Sequence, residues 1–179
     1  MSKDMYLFEV FKARRSVRAF KARQIEQEKM TRLLKAVQSA PSAGNLQAYQ
    51  VYLVDTPASI RALGESAYSQ TCVSGAPAVL VFCTDAPRSA ATYGERGKAL
   101  YCVQDATIAA TFAHLAAVAL GLGSVMVGAF NEAEVARIID APATQIPILL
   151  LPLGYPDETP VPTSRRSLDE IVIRRQERS

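Results

Sequence analysis

ALYCVQDATIAATFAHLAAVALGLG, residues 99–123, is the stretch on which the fold turns. It is Ala-rich, helical in composition and nearly apolar all round. A bilayer-spanning helix needs ~20 apolar residues with few or no charges. Gln104, Asp105 and His114 interrupt this run, and no other segment supports insertion. The alternative is a central helix buried by its own domain or by a second subunit, and this reading predicts covering layers on either side in the chain.

Those layers are legible. Residues 5–13 carry Met5, Leu7, Phe8 and Phe11 at helical spacing, and residues 25–39 carry Ile25, Met30, Leu33, Leu34 and Val37 at threes and fours, up to Pro41. YQVYLVD (49–55) alternates like a strand, Thr56 and Pro57 read as a cap and first turn of a helix through Leu63, and APAVLVFCTD (76–85) reads as a strand covered on both faces. Residues 86–98 are the least patterned and read as a mobile loop or short helix. SVMVGAF (124–130) is strand-like, NEAEVARIID (131–140) is a helix capped by Asn131, and QIPILLLPLGYP (145–156) is apolar but interrupted by prolines. The tail is Pro-punctuated, then basic, carries a strand-like DEIVI (169–173), and resembles an arm reaching across something. The expectation is one mixed α and β domain over residues 1–179, with a C-terminal arm from about 157 to 179.

Composition narrows the chemistry. A net charge of +3 is too modest for a dedicated nucleic-acid binder. Three cysteines without a C-x-x-C pair argue against a disulfide framework or thiolate metal site and predict a reducing cytoplasm. One histidine and no carboxylate cluster predict no metal, and the N-terminus lacks a signal-peptide pattern. The glycines at 121, 123 and 128 do not fit a dinucleotide fingerprint, no P-loop is present, and Ser42 is not in a nucleophile elbow. Phosphate-type donors do occur: Arg14, Arg15 and Arg18 surround Ser16, and Arg165 and Arg166 lie near the C-terminus. Ser42, Asn45 and Gln47 add neutral hydrogen-bonding groups in APSAGNLQ, after Pro41. Anion donors without a nucleophile or base point to chemistry carried by a bound cofactor.

RRSVRAF (14–20), APSAGNLQAYQVYLV (40–54), GLGSVMVGAF (121–130) and LPLGYP (151–156), in this order and spacing, resemble the FMN-dependent nitroreductase family. The resemblance implies an α+β, three-layer fold, with a central, mostly antiparallel sheet flanked by helices. It also implies an intertwined homodimer with exchanged C-terminal arms and FMN at the interface. NADH or NADPH would reduce the flavin by hydride transfer and leave, and a nitroaromatic, quinone or related small-molecule oxidant would follow in ping-pong order. Arg14, Arg15 and Ser16 match phosphate and ribityl contacts, with Arg165 a second phosphate contact and Arg166 beside it. Arg18 matches the basic position near the flavin N1. Pro41, Ser42, Asn45 and Gln47 match the loop bordering the ring from the partner subunit, and Gly128 and Ala129 match the backbone facing N5. No side chain is expected to be catalytic in its own right, and neither nucleic acid, membrane nor metal is an expected partner. The chain departs from the family where Ala48 and Tyr49 replace Pro-Trp and where Thr163 replaces lysine. It is also short between the middle helices, where a substrate wall would lie. These departures motivate an alternative: a flavin-binding protein of the same fold, acting as a flavin reductase or on a specialised substrate without nitroreductase turnover.

Overall fold

The computed structural model describes residues 7–175. Helix α1 (Leu7–Ala13) leads into a loop, then α2 (Gln27–Gln38), a 3-10 turn (Ala43–Asn45) and strand β1 (Tyr49–Val54). Helices α3 (Pro57–Ser66) and α4 (Thr71–Ser74) precede β2 (Ala78–Thr84). Helix α5 (Ala86–Arg96) runs through a π turn (Gly97–Tyr101) into the long α6 (Cys102–Ala119). Strand β3 (Gly123–Ser124), α7 (Glu132–Ile138), β4 (Pro147–Gly154) and α8 (Leu168–Ile171) complete the described chain. The predicted Met5 start of the first helix lies outside the described residues, as does the chain beyond 175.

The four strands form one sheet in the order β1-β2-β4-β3, antiparallel at every pairing. Strand β2 is central and buried at all its positions, which explains its unbroken apolar run. Its side chains divide by pleat. Leu80 and Phe82 face α2 and α6, joining Leu33, Val37, Ala109, Ala113 and Leu151. Val79, Val81 and Cys83 face the other way, toward Ile60, Leu63, Val73, Val135 and Leu150. The architecture is therefore α+β in three layers, with α2 and α6 on one face of the sheet and α3, α4 and α7 on the other. Each fully buried Leu, Val or Phe of this kind contributes roughly 1.5–3 kcal/mol.

Helix α6 resolves the opening ambiguity. The segment Ala86–Ala119 is, by length and composition, apolar enough to cross a bilayer. Yet Ala106, Ala109, Ala110, Ala113 and Ala117 form a fully buried stripe at helical spacing, and small side chains there let the helix lie close on the sheet. Packing inside the protein accounts for the apolar composition.

The structure decides or corrects the local expectations at five places. Residues 86–98 take the short-helix alternative: α5 covers Ala86–Arg96, with the Asp85 side chain accepting from the Arg88 amide. Residues 124–130 contribute only the end of a two-residue strand and two isolated bridges, Ser124 to Ser16 and Val127 to Leu150. The prolines at 147 and 152 do not interrupt β4: Pro152 lies just past the last residue paired with β3, where a missing N–H costs little. The strand-like DEIVI forms instead part of α8, whose Ser167 and Glu170 make a reciprocal capping box. Thr56 is the N-cap residue of α3 with Pro57 in the first turn, as expected, but its side chain makes no capping bond; its hydroxyl bonds Ser59 at 2.9 Å.

Candidate flavin site

The loop after α1 is fixed to the sheet corner by main chain. The Arg14 amide donates to Val10 O at 2.9 Å and the Val17 amide to Ser124 O at 3.1 Å, while Ser16 bridges Ser124 in parallel. Gly123 permits this approach, because any Cβ there would run into Val17. From the other side, residues 155–158 close on the same loop. Lys21 donates to Tyr155 O, Asp157 donates to Ala19 O, and the Glu158 carboxylate accepts from the Arg18 and Ala19 amides. The arm thus departs beside the arginines.

Between them lies a cavity of about 530 Å³, lined by Phe11, Lys12, Arg14, Arg15, Ser16 and Arg18 and by Pro160, Val161, Pro162, Thr163 and Arg165 of the arm. Two segments some 150 residues apart in sequence meet here, bringing five basic side chains and no carboxylate to the wall. Arg15 uses Nη1 on the Lys12 and Arg14 carbonyls, both at 2.7 Å. Arg165 uses Nη1 on Thr163 Oγ1 at 2.7 Å, so Thr163 orients an arginine where lysine was expected. Arg166 is not drawn in: its Nη2 donates to Glu170 O at 2.5 Å and closes α8.

The 40–47 loop makes a second feature. Ser42 Oγ accepts from the Gln47 amide at 2.9 Å, and the Gln47 side chain donates to Asn45 Oδ1 at 2.8 Å. Gly44, Asn45 and Gln47 all have positive φ, a left-handed run that these internal bonds support. The loop's polar side chains hold the loop itself. Its outer side, with Pro41, Ser42 and Ala43, lines a mostly separate cavity of about 660 Å³ together with Tyr101, Gln104, Asp105 and Ile108. Asp105, 2% exposed, holds the loop to α6 by accepting from the Ala43 amide at 2.9 Å; its second oxygen has no partner among the described residues. Tyr101 packs edge-on against Tyr93 at 5.1 Å, and Tyr93 presents its hydroxyl to Gly44, so α5 and the π turn supply an aromatic wall beside the loop.

The arginine cavity and the loop cavity share no lining residue within one chain. Gly128 and Ala129 line neither. They project beyond the Val127–Leu150 bridge, exposed, with Ala129 O accepting from Gln70 Nε2 at 3.0 Å. Space around Gly128 is open.

Sequence reasoning missed Asp105, Tyr93, Tyr101 and Thr163, and gave His114 no role. Asp105 and His114 were visible as polar breaks in the apolar helix, but their partners lie far away in the chain. Burial pushes the Cys72 and Cys102 thiols up and Cys83 to about 12, so none of the three is a thiolate nucleophile at neutral pH. Among the described residues, no group of three His, Cys, Asp or Glu side chains could hold a metal ion.

The family model described as the Nitroreductase family matches residues 11–86 and 66–155. A protein named NADH dehydrogenase from Thermus thermophilus is 29% identical over 89% of this chain and 91% of its own length. A Bacillus subtilis FMN reductase [NAD(P)H] is 30% identical over 79% of this chain and 62% of the relative. Among solved structures, the NADPH:FMN oxidoreductase from Vibrio harveyi complexed with NAD+ superposes with a TM-score of 0.87 at 28% identity, covering 97% of this chain and 78% of that one. The chain belongs to the nitroreductase family.

Proposed function

We propose that this chain is an NAD(P)H-dependent FMN oxidoreductase that works as a homodimer in the cytoplasm and passes electrons in ping-pong order to a nitroaromatic, quinone or related oxidant. One observation carries the reading: the cavity where Arg14, Arg15, Ser16 and Arg18 meet Arg165, all basic or neutral at the wall. A flavin mononucleotide phosphate carries nearly two negative charges, and a set of guanidinium forks plus a serine hydroxyl fits it. FMN, when bound, supplies the redox chemistry, accepting a hydride equivalent from the nicotinamide and releasing electrons to the oxidant.

The protein's own part is binding, orientation and electrostatics. Arg14, Arg15 and Arg165 hold the phosphate end. Arg18, at the same cavity, would set a positive charge near the flavin N1 and stabilise negative charge developing on the ring. Exposed amides at 128 and 129 can approach a ring because Gly128 brings no side chain. The partner subunit's 41–47 loop would cover the ring, which explains why the arginine and loop cavities are separate within one chain. Tyr93 and Tyr101 would then border the oxidant, taking the place of the longer wall the sequence lacks.

The test is the visible spectrum of the purified, desalted protein, with the supernatant after acid denaturation, followed by NADH and NADPH oxidation with a quinone or nitroaromatic acceptor. Released FMN near one per chain, with acceptor-dependent turnover, is expected. FMN without turnover would favour a flavin-binding role on a specialised substrate. A colourless protein that takes up no added FMN would refute the proposal. Arg165→Ala should weaken FMN binding by roughly tenfold or more, as expected for a lost charge-assisted phosphate contact.

A further inference from the structure

His114 is the chain's single histidine, sits mid-helix in α6 and is 5% exposed. Its two ring nitrogens have different partners. Nδ1 lies 2.7 Å from Ser124 Oγ, and Nε2 lies 3.3 Å from Nη1 of Arg14. A guanidinium can only donate, so Nε2 must carry the lone pair. The ring proton is therefore on Nδ1 and donates to the serine, which is itself fully buried. One neutral tautomer satisfies both contacts, and neither the other tautomer nor the imidazolium does.

The same serine fixes the arginine loop by main chain. Its carbonyl accepts from the Val17 amide at 3.1 Å, and it bridges Ser16. Ser124 thus sets the position of the loop through its backbone and the tautomer of His114 through its side chain. His114 in turn meets the one arginine of the cavity whose guanidinium has a side-chain partner on the helix layer; Arg15 and Arg165 bond within their own segments. A histidine needed only for packing would be satisfied by the serine. The contact with Arg14 across 100 residues links the buried helix to the anion cavity.

We infer that His114 is a positioning residue for the anion site: its Nε2 holds the Arg14 guanidinium in the orientation that meets the phosphate of the bound ligand. The ligand's identity as FMN rests on the proposed function; the positioning role requires only an anion in that cavity. His114 touches no ligand atom. It acts by reducing the freedom that a long arginine side chain would otherwise lose on binding.

The experiment uses the full-length, flavin-stripped protein and measures dissociation constants for FMN and for riboflavin, which lacks the phosphate, by flavin fluorescence quenching. His114→Phe keeps the ring volume and removes the acceptor. It should weaken FMN by about tenfold while changing riboflavin less than about twofold, so that the FMN-to-riboflavin preference falls. His114→Gln offers a carbonyl acceptor at a similar reach and should restore most of the preference. A Phe variant that keeps the wild-type preference, or loses both flavins equally, overturns the inference. Should the Phe variant fail to fold by circular dichroism, Ser124→Ala removes the bond that fixes the tautomer. It should lower the same preference severalfold, and an unchanged preference overturns the inference. A wild-type chain that binds neither flavin refutes the proposed function instead. Inorganic phosphate, read by thermal shift, then decides: stabilisation of the wild type that is lost in the variants supports the role of His114, and equal stabilisation in all of them overturns it.

Discussion

Two residues show how local chemistry at the site constrains stability. Burial, with the Arg14 charge adding to it, lowers the His114 pKa to about 4 from an ordinary 6.5. The folded protein thus keeps the imidazole neutral where the unfolded chain protonates it. The stabilisation is fully present above pH 6.5 and is lost progressively as pH falls toward 4, by up to roughly 3 kcal/mol. Denaturant unfolding of the apoprotein between pH 7 and 4 should show this decline, and His114→Gln should remove it from that window. Glu26 titrates lower still, near 2, because Tyr155 and Arg23 donate to its carboxylate; its share is therefore lost only below about pH 4.5, at the acid end of the histidine window. Gly44 is the second residue. It has φ +56, and a Cβ there would collide with the Tyr93 hydroxyl. Gly44→Ala should cost about 1–2 kcal/mol, from the left-handed backbone and the displaced ring together. Thermal unfolding measures the cost, and an unchanged midpoint would mean that the loop and Tyr93 are not in contact.

At the scale of elements, the helices α2 and α6 and the strands β1 and β2 were legible because burial imposes a period on them. Phe82 and Val81 alternate between two covered layers, and the alanines of α6 recur along one stripe. The four-motif resemblance located Arg14 to Arg18 and Arg165, which the fold does bring to one cavity. Where reading failed, capping and tertiary contact outweighed composition. DEIVI has β-rich composition, yet the Ser167–Glu170 box starts a helix one residue before it. SVMVGAF alternates well enough, but it pairs with β4 only at Ser124–Leu153 and again at the Val127–Leu150 bridge, on either side of Pro152, which has no N–H to give. Asp105 and Ala43 meet through a bond spanning 62 residues, which no local pattern encodes. The capping signal at α5 lies in Asp85-Ala-Pro. Asp85 accepts from the Arg88 amide at 3.2 Å and from its guanidinium at 3.0 Å. Asp85→Ala should therefore destabilise the protein by about 1 kcal/mol, mostly through the lost cap, since the ion pair is half exposed. Hydrogen exchange should show faster opening confined to α5 and the aromatic wall it carries; protection equal to wild type would mean that the π turn and α6 alone hold this segment.

At the scale of the whole molecule, apolar surface is distributed as a dimer would require. Phe8 is 82% exposed on α1, Val161 81% and Ile173 88% on the arm, while Val103 and Thr107 line an open cavity on the outer side of α6. Strand β1 is an edge of the sheet, with no strand paired on its outer side among the described residues. The arm makes its described contacts near its root, at residues 155–158, and its apolar residues beyond Pro160 remain uncovered within the chain. A second copy of the chain is the economical cover, because an exchanged arm would bury those residues and bring one subunit's 41–47 loop to the other's arginines. Truncation after Pro160 should then have two linked effects. It removes Thr163 and Arg165 from the anion cavity and the apolar segment from the interface, so light scattering should report a monomer and the visible spectrum should lose its flavin bands together. The two effects can be separated with Arg165→Ala in the full-length chain, which should weaken FMN while leaving the dimer intact. A truncated protein that stays dimeric and yellow would show that neither the interface nor the phosphate contact depends on the arm. The dimer would then have to rest on α1 and α6 alone.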